Sequence, residues 1–223
     1  MSKALIYFCK IVMGRLLGLL FYALGTWGIV NARAWIYFGF CIAASLAGGL
    51  VLLVAAPGAL AARNTISPDT PLWDRIILRL YWVLSFFGIY LIAGIEADSS
   101  AKPDVCFGIG MLLCLLAVCP QIAALAVNPF LESSARVQTD RQQTVVDAGV
   151  YRVVRHPVYS SVILWCISVS LVFPTPFVRL TAVVTAILIV VRTALEDVLL
   201  RENLAGYREY AERTRWRLIP FIW

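Results

Sequence analysis

The chain has 223 residues, 61% of them hydrophobic and 14% charged, and its mean hydropathy is +0.83. Soluble domains carry about a quarter charged residues, so this balance excludes an ordinary water-soluble domain and points to a polytopic membrane protein. The formal net charge of +6 does not indicate a nucleic-acid partner, because the Lys and Arg residues stand in loops between apolar segments, where membrane topology places them.

Six apolar segments follow along the chain, and a helix needs on the order of 20 apolar residues to cross a bilayer. Residues 4–30 form the first. Lys3 leads straight into it with no small-residue cleavage site, so a retained helix is expected rather than a removable leader. Residues 35–62, 76–95 and 105–127 supply the next three. Two shorter runs, 158–173 and 177–191, lie near or below the length that crosses a bilayer untilted, about 17–25 residues. The "FPTPF" between them holds two prolines and enforces a tight turn. The pair reads as a helical hairpin whose second helix runs on past the membrane surface. The expected fold class is all-α, a polytopic transmembrane helical bundle of about six spans.

The cysteines Cys9, Cys41, Cys106, Cys114, Cys119 and Cys166 all fall within apolar runs, with no CxxC pair and no histidine cluster. They read as small packing residues, and no metal site is expected. The loop holding Arg63 and Arg75 is basic, "EADSSAKPD" is acidic on balance, and arginines crowd residues 136–155 and the tail after Arg192. The positive-inside bias then puts both termini and the arginine-rich loop in the cytosol. Arg15 and Arg79 fall in or near spans, where charge is expensive, so either could be functional, but each is near enough to an interface to be expected to snorkel. The expected division is a four-helix transmembrane region, 1–127, and a core, 128–223, made of a motif loop, the hairpin and a cytosolic helix.

Ahead of the fifth segment stands "GVYRVVRHPVYSSVIL", which begins at Gly149 and carries the single histidine. Pro157 keeps His156 out of helical geometry and is itself suited to the first helical position. His156 then caps a helix, and the amides of Val158, Tyr159 and Ser160 are expected to lack intrahelical partners. With Arg152 and Arg155 beside it, this helix N-terminus suits a carboxylate or a phosphate. The tyrosines add flat faces and hydroxyls for an aromatic ring or a ribose. Taken alone, Arg, Tyr and His are also what a membrane interface carries as anchors.

The second polar group follows the sixth segment, in "VVRTALEDVLLRENLAGYREYAERTRWRLIP". Arg192 and Glu196 are four apart and share a helical face. Glu196 and Asp197 form an acidic pair where the apolar run ends. On an exposed helix such charges contribute little. If the two short segments form a hairpin, the His156 end and the Glu196 end meet at one face. That face offers donors for an anion and an acceptor for a cation, and an amino-acid moiety presents both.

The series Gly149-x-Tyr151-Arg152, Arg155-His156-Pro157-x-Tyr159, Glu196-Asp197, then Tyr207 and Tyr210 ahead of Leu218-Ile219-Pro220, resembles the isoprenylcysteine carboxyl methyltransferase and phospholipid methyltransferase superfamily. The resemblance covers roughly residues 128–223. It implies an integral membrane enzyme that uses S-adenosyl-L-methionine at the cytosolic face and admits a lipid-like acceptor from the bilayer. It places His156, Tyr159 and the surrounding Gly149, Tyr151, Arg155 and Pro157 against the cofactor. Glu196, with Asp197 beside it, is the cofactor-contacting acid. Arg192 matches an arginine near the reacting end, so Arg192 and Glu196 are the catalytic candidates. The acidic pair is often Glu-Glu and here ends in Asp197; the glycine is often followed by proline, and here by Val150.

A carboxylate acceptor is already a nucleophile, and Arg192 would orient it. An amine or thiol needs a base, and Glu196 or Asp197 would have to serve. Carboxyl O-methylation is favoured, with N- or S-methylation open. A lipophilic acceptor would suit a pocket lined by Trp73, Trp82 or Trp165. Two other readings stand beside this one. Membrane sterol reductases that use NADPH resemble the same region but are generally longer. A non-catalytic transport protein would usually show inverted repeats and helices broken at mid-membrane, and here the polar groups gather at one end.

Overall fold

A computed structural model describes every residue except Thr65, and among the described residues there are helices and turns but no strand. Three of the long helices open on a polar side-chain cap. Ser2 Oγ accepts from the Leu5 amide at the start of α1 (Lys3–Gly25), and Asn31 Oδ1 from Ala34 at the start of α2 (Ala32–Ala55). Asp104 Oδ1 accepts from Phe107 at 2.8 Å at the start of α6 (Val105–Val127). Such caps satisfy amides that have no partner within the helix.

Residues 35–62 do not form one helix as the sequence suggested. Pro57 crowds the residue before it, so Ala56 leaves helical geometry (φ −147°, ψ 55°) and a short helix α3 (Pro57–Ala62) begins anew. The third span is continuous from Leu72 to Ile95 but contains a π turn at Leu84–Gly88, between α4 (Leu72–Val83) and α5 (Ile89–Ile95). With α1, α2 and α6 it makes four helices long and apolar enough to cross a membrane. Pro120 is carried inside α6, as membrane helices allow.

The hairpin is present. α7 (Pro157–Val172) has 16 residues, about 24 Å of rise, short of the ~30 Å hydrocarbon core. α8 (Pro176–Asn203) has 28 residues and continues well past the apolar run before α9 (Tyr207–Arg213) turns away. α7 packs along α6 on one side and α8 on the other. Ser168 Oγ donates to the Gly110 carbonyl at 2.7 Å and ties α7 to α6. α1 lies against α5 so closely that a Cβ on Gly94 would stand 2.2 Å from the Tyr22 carbonyl oxygen.

The end opposite the motif loop is clamped by charge. The buried Arg33 donates to the Lys102 carbonyl at 2.8 Å and pairs with Asp104. Glu96 accepts from the Thr175 hydroxyl and from the Val178 amide at 3.3 Å, so a carboxylate sits at the positive end of α8. At mid-height, Arg15 does not snorkel. Its guanidinium turns inward, donating to Ser45 Oγ at 3.3 Å and lying 5.7 Å from the centre of the Phe86 ring. Arg79 is exposed.

Candidate functional site

The motif loop is held from behind. Gly149 has φ +57°, a left-handed conformation that suits glycine, and opens a 3-10 turn over Gly149–Arg152. That turn directs the Tyr151 carbonyl to the Tyr210 hydroxyl, 2.7 Å away. The Tyr151 hydroxyl accepts from Asn128 Nδ2 at 3.0 Å. Burial pushes the Tyr151 phenol up to about 12 in spite of that bond. The amides of Arg155 and His156 donate to the carbonyls of Trp216 and Arg217, at 2.9 and 3.0 Å, so the loop leans on the last stretch of the chain. Ser160 Oγ adds a 2.6 Å bond to the Leu218 carbonyl.

His156 caps α7, as Pro157 requires. The amides of Tyr159 and Ser160 are not free, however. Both turn back onto the His156 carbonyl, at 3.0 and 3.1 Å, because the first turn tightens to satisfy them. Only the Val158 amide is left without an intrahelical bond. The His156 and Tyr159 rings stack, with centroids 5.7 Å apart and planes 6° apart.

Asp197 is the hub of the polar end. Its carboxylate is fully buried and takes Arg155 Nε at 2.8 Å and Nη2 at 3.1 Å. Arg201 Nε and Arg217 Nε each add a 3.0 Å bond, and the Tyr207 hydroxyl one at 3.1 Å. His156 Nε2 stands 3.5 Å away. Burial alone would raise this carboxyl, but the hydrogen bonds from His156, Arg155 and Arg217 overcome it and hold Asp197 well below the usual carboxylate range. The remaining Arg155 donor serves the carbonyls of Thr214 and Arg215, at 2.7 and 2.9 Å. Arg155 and Asp197 therefore brace the loop, the hairpin and the C-terminal segment as one unit.

The neighbour of Asp197 in sequence, Glu196, accepts the hydroxyl of Tyr159. Arg192 does not pair with Glu196 along the helix. Its Nε donates to Asp74 Oδ1 at 2.7 Å and its Nη2 to the Ser133 carbonyl at 2.8 Å. Asp74, fully buried at the start of α4, also accepts from the Ala135 amide at 2.9 Å. The Arg192 guanidinium lies 5.2 Å from the centre of the Tyr159 ring, and its Nη1 makes no hydrogen bond among the described residues.

Two cavities meet at this point. One, about 860 Å³ including its open mouth, lies at the polar end between the motif loop, residues 128–146 and α8. Glu196, Gln138, Gln143 and Asn128 line it, and so does Ser134, whose buried hydroxyl has no partner among the described residues. The second, about 1460 Å³ including its openings, lies among α1, α2, α4, α6 and α7, with Trp82 and Trp165 in its wall. Arg63, Ser133, Val158, Tyr159 and Arg192 line both cavities. Arg63 is held there by bonds to the Tyr7 hydroxyl at 2.9 Å and the Glu132 carbonyl at 3.1 Å.

The hairpin thus brings together the two groups singled out in the sequence. Tyr151, Arg155, His156, Pro157, Tyr159, Glu196 and Arg192 line the polar cavity, whereas Gly149 and Asp197 stand behind its wall. Trp73 lies outside the apolar cavity. Sequence reasoning missed Asp74 and Arg63. A signal for Asp74 was available: with Ile77 and Leu78 it falls on one helical face, and an acid on an apolar stripe needs a buried cation. Nothing comparable marked Arg63.

Residues 110–202 match the model of the isoprenylcysteine carboxyl methyltransferase (ICMT) family. No curated protein matches the chain. The matched stretch contains the hairpin, the motif loop and the Glu196–Asp197 pair, and it supports a membrane methyltransferase of the ICMT type.

Proposed function

We propose that the chain is a multi-pass membrane enzyme that transfers a methyl group from S-adenosyl-L-methionine to the carboxylate of a lipophilic acceptor. The observation that carries this reading is the shared wall: a polar cavity open to water and an apolar cavity within the bundle meet at Arg192, Tyr159 and Arg63. A transferase with one water-soluble and one lipid-soluble substrate needs such a meeting point.

The residues present fit the donor. Glu196 is the acid for its ammonium; the Val158 amide and the Ser134 hydroxyl are donors without partners among the described residues; the stacked His156 and Tyr159 rings offer a flat face. When bound, S-adenosyl-L-methionine supplies an electrophilic methyl on a sulfonium. Arg192 and Arg63 make the neck between the cavities cationic, which favours a carboxylate acceptor over an amine. The unbonded Nη1 of Arg192 is the atom to orient it, while Asp74 fixes the guanidinium from behind. Such positioning can contribute roughly 7–11 kcal/mol. Arg155 and Asp197 act here as positioning residues. The polar cavity faces the cytosol, since the arginine-rich loops gather at that end. Residues 128–223 form the donor-binding core, and residues 1–127 wall the acceptor cavity and supply Arg63 and Asp74.

Calorimetry on the purified full chain in nanodiscs tests the donor. S-adenosylhomocysteine is expected to bind and NADPH is not. His156→Ala and Glu196→Gln should each weaken S-adenosylhomocysteine about tenfold, the loss of one contact, with the chain still folded. Wild-type affinity in both variants would sink the site. Incubating membranes with methyl-labelled donor then sorts the acceptor: a base-labile product marks an ester, and a base-stable one marks N- or S-methylation.

A further inference from the structure

The intramembrane cavity carries a charge that the methyl-transfer reading does not use. Arg15 lines it at mid-height of α1, with one hydrogen bond, to Ser45 Oγ, and no ion pair among the described residues. The buried arginines Arg33, Arg155 and Arg192 each face an aspartate. A guanidinium within a span is costly unless it serves a pathway or a ligand. A second, independent feature lies in the same wall. Ser85 is 4% exposed, and its Oγ has no partner among the described residues. It belongs to the π turn at Leu84–Gly88, and π turns within helices recur at functional sites. Phe86 of that same turn is the ring beneath Arg15.

These groups are remote from the neck. Arg63 at the neck is bonded to Tyr7, and Tyr7 and Arg15 are eight residues apart on α1, about 12 Å along the helix. The cavity is lined mostly by apolar side chains, interspersed with Gln121 and Tyr81, between a cationic neck and Arg15. A plain hydrocarbon tail would leave the Arg15 charge with no counter-charge and the Ser85 hydroxyl with no partner among the described residues, whereas a second oxygen on the ligand would offer an acceptor to each.

We propose that the acceptor is two-ended. Resting on the methyltransferase reading above, one oxygen-bearing end lies at Arg192 and Arg63 for methylation. A carboxylate or carbonyl oxygen at the far end of its lipophilic body is held by Arg15 and Ser85. This makes Arg15 a specificity-determining residue for an acceptor of bounded length, and an acceptor ending in an unfunctionalised chain is disfavoured.

Binding of dodecanoate, dodecanedioate and dodecanedioate monomethyl ester to the full chain in nanodiscs tests the inference. Wild type should bind the two-ended probes about tenfold tighter than dodecanoate, the gain of one charge-assisted contact. Arg15→Gln should abolish that preference, and Ser85→Ala should reduce it. The order of the diacid and the half-ester reports whether a carboxylate or a carbonyl is taken. Equal binding of all three probes by wild type, or a preference that survives in Arg15→Gln, overturns the proposal. If Arg15→Gln does not fold, Arg15→Lys with Ser85→Ala decides: an undiminished preference in both overturns it. S-adenosylhomocysteine titrated into the same samples reads the donor site separately. Failure there with the two-ended preference intact would sink the methyltransferase reading and leave this one.

Discussion

Arg192 and Asp74 come from distant parts of the chain, and each would be untenable alone. A guanidinium that is 3% exposed needs a counter-charge, and a carboxylate with no exposure needs donors. Together with the Ala135 amide and the Ser133 carbonyl they satisfy one another and leave Arg192, which lines both cavities, with an Nη1 that makes no hydrogen bond among the described residues. Asp74→Asn is expected to lower turnover about a hundredfold, the scale of a small misplacement at a reacting centre, while S-adenosylhomocysteine affinity stays near wild type. Arg192→Lys should behave alike, because a lysine cannot reproduce the planar fork that joins Asp74 and Ser133. Steady-state kinetics set beside calorimetry check this; equal losses in turnover and in affinity would move Arg192 into the donor shell. The sequence showed Arg192 and Glu196 on one helical face, but not that Arg192 turns instead to Asp74. Covalent spacing along one helix is legible; a partner 118 residues away is not.

Among the elements, the α1–α5 contact is the tightest test of packing. Small residues let membrane helices approach closely, and here Gly25 and Gly94 face each other so nearly that neither has room for a side chain. Gly94→Val is expected to destabilise the bundle by about 1–3 kcal/mol through overpacking, visible as a lower unfolding temperature in detergent. Gly39→Ala, where a Cβ would meet nothing within 4 Å, serves as the control. The spans themselves were legible because apolar run length is a direct readout of bilayer thickness. The break at Ala56 follows from Pro57 and was readable in principle. The π turn at Leu84–Gly88 was not, since "LSFFG" is as apolar as the helices on either side of it.

For the whole molecule, the family match covers residues 110–202, while Arg63 and Asp74 at the neck come from outside it. The polar end is unified by Asp197, which gathers groups from the motif loop, α8 and the C-terminal segment. Its carboxyl lies below its unfolded value of about 3.9. Its contribution is therefore fully present above about pH 4 and is lost only as the medium is acidified through the lower, folded value. The wild type should keep its S-adenosylhomocysteine binding through mild acid down to about pH 4. Asp197→Asn should lose about 3–5 kcal/mol at neutral pH, the cost of breaking a buried pair, and circular dichroism against temperature and pH reads both.

The hold that Trp216 and Arg217 keep on the Arg155 and His156 amides has a consequence for biogenesis. Proteins are made from the N-terminus onward. A nascent chain with every helix already inserted still lacks the two carbonyls that fix its histidine loop. Competence to capture a ligand at the water-facing end is therefore expected to wait until residues 216 and 217 have been made, and a ribosome stalled ahead of them is expected to leave an inserted but inert bundle.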